Sequence, residues 1–171
     1  MGAAGGLLAI WEVATTAGPH ARADALLGRS GEPPAASLGE RNAALFRLRS
    51  QLFGNSQQLR CNCPDCEAIA EFTVDCGAMA RQALPSPAAG QPQQLQIGDY
   101  RVEFRLPQAV DLIAACGSDG TFEAELLERC VSRCACGEAP CELEELPDSV
   151  VEAISQRMEE LEPGASIRFD L

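Results

Sequence analysis

Residues 59–66 read Leu59-Arg60-Cys61-Asn62-Cys63-Pro64-Asp65-Cys66, and 67–75 continue Glu67-Ala68-Ile69-Ala70-Glu71-Phe72-Thr73-Val74-Asp75. The stretch is a strand, a tight cysteine turn and a second strand. Ala68, Ala70, Phe72 and Val74 alternate with Glu67, Ile69, Glu71, Thr73 and Asp75, the period of two that suits a half-buried strand. Cys63-Pro64-Asp65-Cys66 is a C-P-x-C knuckle, in which two thiolates two residues apart can face one ion while the backbone folds around it. It is half of a zinc ribbon. The chain contains no second C-x-x-C to complete it.

On the N-terminal side, Ser37-Leu38-Gly39-Glu40 has the capping-box form and predicts a helix from Leu38 to Phe53. Leu38, Leu45, Leu48 and Leu52 form its stripe, widened by Phe46 and Phe53, with Arg41, Arg47, Arg49 and Gln51 facing solvent. Gly54 stops it. Upstream, 7–16 is helix-compatible, with Trp11 as a packing residue, and a second short helix ends near Leu27. His20, the one histidine, lies near its start and reads as solvated.

On the C-terminal side, a short helix covers 76–84, and 85–94 is a linker-like loop without apolar period. Gly98-Asp99 predicts a type II′ hairpin, with Tyr100, Val102, Phe104 and Leu106 on one face. Pro107 can open a helix running to about 116. Residues 121–133 read as a further helix with Phe122, Leu126, Leu127, Cys130 and Val131 inward, Cys130 being a core residue. Residues 134–141 form a second cysteine-rich loop. Pro147 starts an amphipathic helix carrying Val150, Val151, Ile154, Met158 and Leu161, ended by Pro163-Gly164. Residues 166–171 alternate as a strand, expected to pair with 59–75. The fold class is α+β: N-terminal helices, a small antiparallel sheet with a zinc-ribbon-like cysteine hairpin, and inserted helices. The segments are 1–54 helical, 55–84 cysteine hairpin and short helix, 85–94 linker, and 95–171 β-hairpin, helices and terminal strand.

Composition narrows the function. Thirteen basic residues against 25 acidic give a net charge of −12. That argues against nucleic acid, where phosphate neutralisation dominates affinity, and against insertion at an anionic membrane. No stretch approaches the roughly 18 apolar residues of a membrane span, and 1–10 has no basic leader region. The reading is cytoplasmic, and nine cysteines in a reducing compartment point to metal before disulfides. Glu142, Glu144, Glu145, Glu159, Glu160 and Glu162 read as solvated acidic faces. No catalytic constellation, phosphate loop or small-molecule substrate site is legible.

The order of these motifs resembles a known family. S-L-G-E-R-N-A-A-L-F-R-L-R-S-Q-L-F-G at 37–54, C-P-D-C, R-L-P-Q-A-V-D-L at 105–112, L-L-E-R-C-V at 126–131 and I-R-F-D-L at 167–171 are similar to baseplate proteins of phage and contractile injection systems, of the baseplate hub assembly chaperone kind. The resemblance implies a non-enzymatic structural or assembly component that docks on hub or spike proteins, in the cytoplasm or within a phage-tail-like particle, with zinc as a structural staple. In that family a second C-P-x-C follows the strand matching 167–171. Here the second ligand pair lies past Leu171 in a longer chain, or is recruited as Cys134 and Cys136, with or without Cys141, or is absent and Cys63 and Cys66 are reduced thiols. The metal-ligand candidates are therefore Cys63, Cys66, Cys134 and Cys136. Two alternatives stand beside this reading. One is a free-standing zinc-ribbon interaction module. The other is a thiol-redox enzyme using Cys63 and Cys66, although redox C-P-x-C motifs precede a helix and here a strand follows.

Overall fold

Ser37 caps the longest helix among the described residues and shows how the fold is tied together. A helix leaves its first four N–H groups without intrahelical partners. In α3, Leu38–Phe53, the Ser37 hydroxyl accepts from the Glu40 N–H at 3.2 Å. The Gly39 N–H donates to Glu162 Oε1 at 2.9 Å, across 123 residues of chain. The helix ends at Gly54, whose φ of 86° lies in the left-handed region and whose N–H returns to the Ser50 carbonyl.

The computed structural model describes residues 3–18, 21–31, 37–63, 66–83, 88–117 and 120–166. Before α3 come α1, Ala3–Thr16, and α2, Arg22–Ser30. The hairpin β1, Ser56–Asn62, and β2, Ile69–Asp75, follows α3 and leads into α4, Cys76–Gln82. Then come β3, Gln93–Ile97; β4, Tyr100–Phe104; α5, Ala109–Ala115; α6, Phe122–Cys130; β5, Val131–Cys136; β6, Ala139–Cys141; and α7, Asp148–Leu161. Single 3-10 turns cover Leu143–Glu145 and Pro163–Ala165.

Among the described residues the strands form two antiparallel sheets. β1 and β2 stand as a two-stranded ribbon, with Leu59 opposite Phe72 and Cys61 opposite Ala70. The second sheet has the order β3-β4-β5-β6. Gly98, φ 57°, and Gly137, φ 61°, supply the positive dihedral that begins each of its two tight turns. α7 lays Val150 and Ile154 on this sheet, where they meet Val102, Phe104 and Cys134, with Leu127 and Leu146 closing the core. Val102 and Ile154 are fully buried. A smaller core of Leu27, Ala44 and Leu48, flanked by Leu26, Leu45 and Leu52, joins α2 to α3.

The two parts meet where the chain leaves α7. Glu162 is buried, and its Oε2 has no hydrogen-bond partner among the described residues. Its other oxygen caps α3, where the helix dipole favours negative charge. Asn42 Nδ2 donates to the carbonyls of Gly164, at 2.9 Å, and Ala165, at 3.2 Å. Gly164 lies so close to the end of α4 that a Cβ there would stand 2.7 Å from Ala83 Cα.

A second clamp holds the β4-α5-α6 corner. Arg105 Nη1 and Nη2 donate to Asp111 Oδ2 and Oδ1 at 2.6 and 2.8 Å, and Nη2 also donates to the Arg129 carbonyl at 3.1 Å. The Gln108 N–H donates to Asp111 Oδ2, one half of a capping box in which Gln108 is the cap. Asp111 is buried. The guanidinium bonds hold its carboxyl below the ordinary carboxylate value against the opposing cost of burial.

Several expectations are corrected. Residues 121–133 are not one helix: α6 stops at Cys130, because Val131 turns extended and pairs with Phe104 in the sheet. The cysteine-rich loop 134–141 is the β5-β6 hairpin. Pro107 precedes the cap of α5 and does not occupy its first turn. The strands divide into two sheets where one was expected. Trp11, expected to pack, is 68% exposed. Phe122, expected inward, is 43% exposed at the first position of α6. Arg41 is drawn into an ion pair with Asp24 at 2.7 Å. Glu162 is not on a solvated face. β3 already begins at Gln93, inside the expected linker. The terminal strand at 167–171 and His20 lie outside the described residues. The capped α3, the alternating β2, the Gly98 turn and the α7 stripe are as expected.

Two predictions follow from these clamps. Glu162→Ala strands the Gly39 N–H and removes the cap, and is expected to cost about 1–3 kcal/mol. Glu162→Gln keeps a carbonyl acceptor and is expected to stay within about 1 kcal/mol of the native chain. Urea unfolding midpoints read both, and an alanine variant as stable as the native chain would remove the clip from the account. For Asp111, the folded-state value is depressed, so its stabilisation is present above about pH 4, the unfolded value. It is lost as pH falls through the folded value. The stability gap between native and Asp111→Asn should therefore be largest near neutral pH and close on acidification, and a gap independent of pH would contradict the ion pair.

Candidate functional site

The cysteine turn is held by its own backbone. The Cys63 N–H donates to the Ala68 carbonyl at 2.8 Å, and the Glu67 N–H donates to the Cys63 carbonyl at 3.0 Å. Glu67 takes a left-handed conformation, φ 58°, uncommon for a residue with a Cβ and costing roughly 1–2 kcal/mol. Cys63 is half-buried and Cys66 exposed. Pro64 and Asp65 lie outside the described residues.

Cys134 and Cys136 lie on the other sheet. Alternation puts both on the same face of β5, with Cys134 buried in the main core opposite Cys141, and Cys136 exposed opposite Tyr100. Burial, then Cys141 and Glu142, raises the Cys134 thiol above its ordinary value. Desolvation, then Cys136, Glu145 and Glu142, raises Cys141. The charge that Cys136 would carry as a thiolate is the first cause of the raised Tyr100 phenol. Cys130 is pushed up to about 11, mainly by burial and then by Asp111. For Cys130 and Cys134 burial is the first cause, and it favours the thiol over the thiolate that a nucleophile needs.

The fold gathers Cys134, Cys136 and Cys141 at one hairpin and leaves Cys63 and Cys66 on the separate ribbon. Among the described residues, no group of three or more Cys, His, Asp or Glu side chains could hold a metal ion. The described residues therefore give zinc no site and no role.

What the described surface offers is docking area. A cleft of about 500 Å³ between α6 and α7 carries Glu123, Glu152 and Glu159 on its walls, an acidic lining suited to a basic partner. On the opposite chemistry, an open groove of about 400 Å³ lies between α1, α2 and α3. Trp11 and Phe53 stand at its edges, both largely exposed. The apolar stripe of α3 contained this signal: Leu45, Leu48, Leu52 and Phe53 make it wider than its contact with α2 requires. The capping role of Glu162 had no sequence signal, since the two partners are 123 residues apart.

The family model described as T4 bacteriophage base plate protein matches residues 28–162. No curated protein and no solved structure matches the chain. The matched span runs from the end of α2 through α7 and contains the Gly39–Glu162 bond and the Arg105–Asp111 pair; α1 lies before it.

The cysteine environments predict an order of reactivity. Under native conditions iodoacetamide should label Cys66, Cys116 and Cys136 first, because these are exposed. Cys76 and Cys130, each about 1% exposed, should react only on unfolding. Peptide mass mapping reads the order, and early labelling of Cys130 would contradict the packing of α6 on β4.

Proposed function

The chain belongs to the T4 bacteriophage base plate protein family and is a structural phage baseplate component; from that premise we propose that it acts as an assembly factor that docks on hub or spike subunits. The match over 28–162 carries the reading. The placement of the motif residues supports it. Asn42 joins α3 to the C-terminal turn, and Arg105 and Asp111 lock the β4-α5-α6 corner. These side chains fix internal geometry, and the surfaces left over are an acidic cleft and an apolar groove, both suited to proteins. Such a protein works by binding free energy alone, presenting rigid elements to its partners. No helix among the described residues is long and apolar enough to cross a membrane.

The test is to tag the full chain in cells assembling the particle and to recover its partners before and after assembly. An assembly factor is expected to co-purify with free hub or spike subunits and to be absent from finished particles. Stoichiometric presence in finished particles would make it a permanent part of the baseplate. Recovery of no baseplate subunit at either stage would overturn the docking reading.

A further inference from the structure

The groove between α1, α2 and α3 has a chemistry unlike that of the rest of the molecule. Its floor is apolar, from Leu26, Leu45 and Leu52, with Trp11 and Phe53 at the edges. Two guanidiniums, Arg22 and Arg49, complete the lining. Arg22 Nε donates to the Ala14 carbonyl at 2.8 Å. Arg49 donates to Gln57 Oε1 at 3.0 Å and stacks over the Phe53 ring at 5.8 Å. Neither meets a carboxylate among the described residues, whereas Arg41, Arg105 and Arg157 each do.

Charge is also divided along the chain. Residues 1–54 hold five arginines against four carboxylates, and 55–171 hold eight against twenty-one. The groove is thus built from the one part that is not acidic. A basic partner is drawn to the rest of the molecule; a partner carrying carboxylates meets less repulsion at this segment than at the acidic remainder. Along α3 the lining extends from Leu45 to Phe53, about 12 Å, the length of two helical turns. Two turns present apolar anchors at i, i+3, i+4 and i+7, the pattern of a helix lying in a groove.

We propose that this groove receives one amphipathic helix of another baseplate subunit, with its apolar side chains between Trp11 and Phe53 and its flanking carboxylates on Arg22 and Arg49. The source of the helix rests on the baseplate reading; the recognition chemistry does not. A second copy of this chain fits less well. A symmetric contact through the groove would set these two arginines against their own copies and bring two strongly acidic bodies together. An anionic membrane would meet the same acidic body.

Trp11 is the one tryptophan of the chain, so its fluorescence reports on the groove directly. The probe is a synthetic helix of about fifteen residues with leucines at i, i+3, i+4 and i+7 and glutamates beside them, compared with a twin carrying lysines for the glutamates. Added to the full chain, the glutamate peptide should shift Trp11 emission to shorter wavelength saturably and bind at least about tenfold more tightly than its twin. Arg49→Glu, at an exposed position, should reverse that preference. Four results would overturn the proposal: no shift with either peptide, equal affinities, a shift only with vesicles of anionic lipid, or a chain that sedimentation shows to be a dimer with Trp11 already buried. Failure here together with recovery of hub or spike subunits in the co-purification would remove the groove and leave the baseplate reading standing.

Discussion

Among the described residues, the side-chain hydrogen bonds that tie the C-terminal end to the N-terminal helices meet at the first turns of α3. A helix start is a cluster of unpaired N–H donors with a positive dipole end, and it must be answered by something. Ser37 answers from within the local sequence. Glu162 answers from the far side of the protein. The second bond fixes where α7 ends relative to α3. Asn42 and the close approach of Gly164 to Ala83 then hold that arrangement against α4. A buried carboxylate with one oxygen unpaired among the described residues carries a desolvation cost. Here the cost is offset by the bond to Gly39 and the helix dipole.

The Arg105–Asp111 pair does the same for the second half. The chain changes direction twice beside this guanidinium, from β4 into α5 and from α6 into β5, and it bonds to both junctions. Arg105 N–H also takes the Cys130 carbonyl at 2.9 Å, where α6 gives way to β5. Several residues of the motifs that carry the family resemblance therefore sit at junctions. A protein whose distinctive side chains set the angles between its own elements is suited to presenting surfaces, and that matches a baseplate component better than a reaction centre.

The cysteines teach a different lesson. Nine of them in one chain read as a metal protein. In the fold they scatter over four environments: the ribbon turn, the β5-β6 hairpin, buried positions at Cys76 and Cys130, and the exposed end of α5 at Cys116. Several fill small spaces in a core, where burial holds them as thiols.

The sequence by itself determined the local elements whose signals are complete within a few residues: the Ser37 cap and Gly54 stop of α3, the period-two strand β2, the Gly98 turn, and the stripe of α7. It determined the α+β class and, through motif order, the family. Only the tertiary structure decided where α6 ends, because Val131 satisfies its backbone in the sheet and helical periodicity alone cannot register that pairing. Only the tertiary structure divided the strands into two sheets, exposed Trp11 and buried Glu162. Each of these depends on what another part of the chain, far away in sequence, places beside the residue. Helix caps, turns and alternation are satisfied by neighbours along the chain; the solvation of a side chain is settled by neighbours in space.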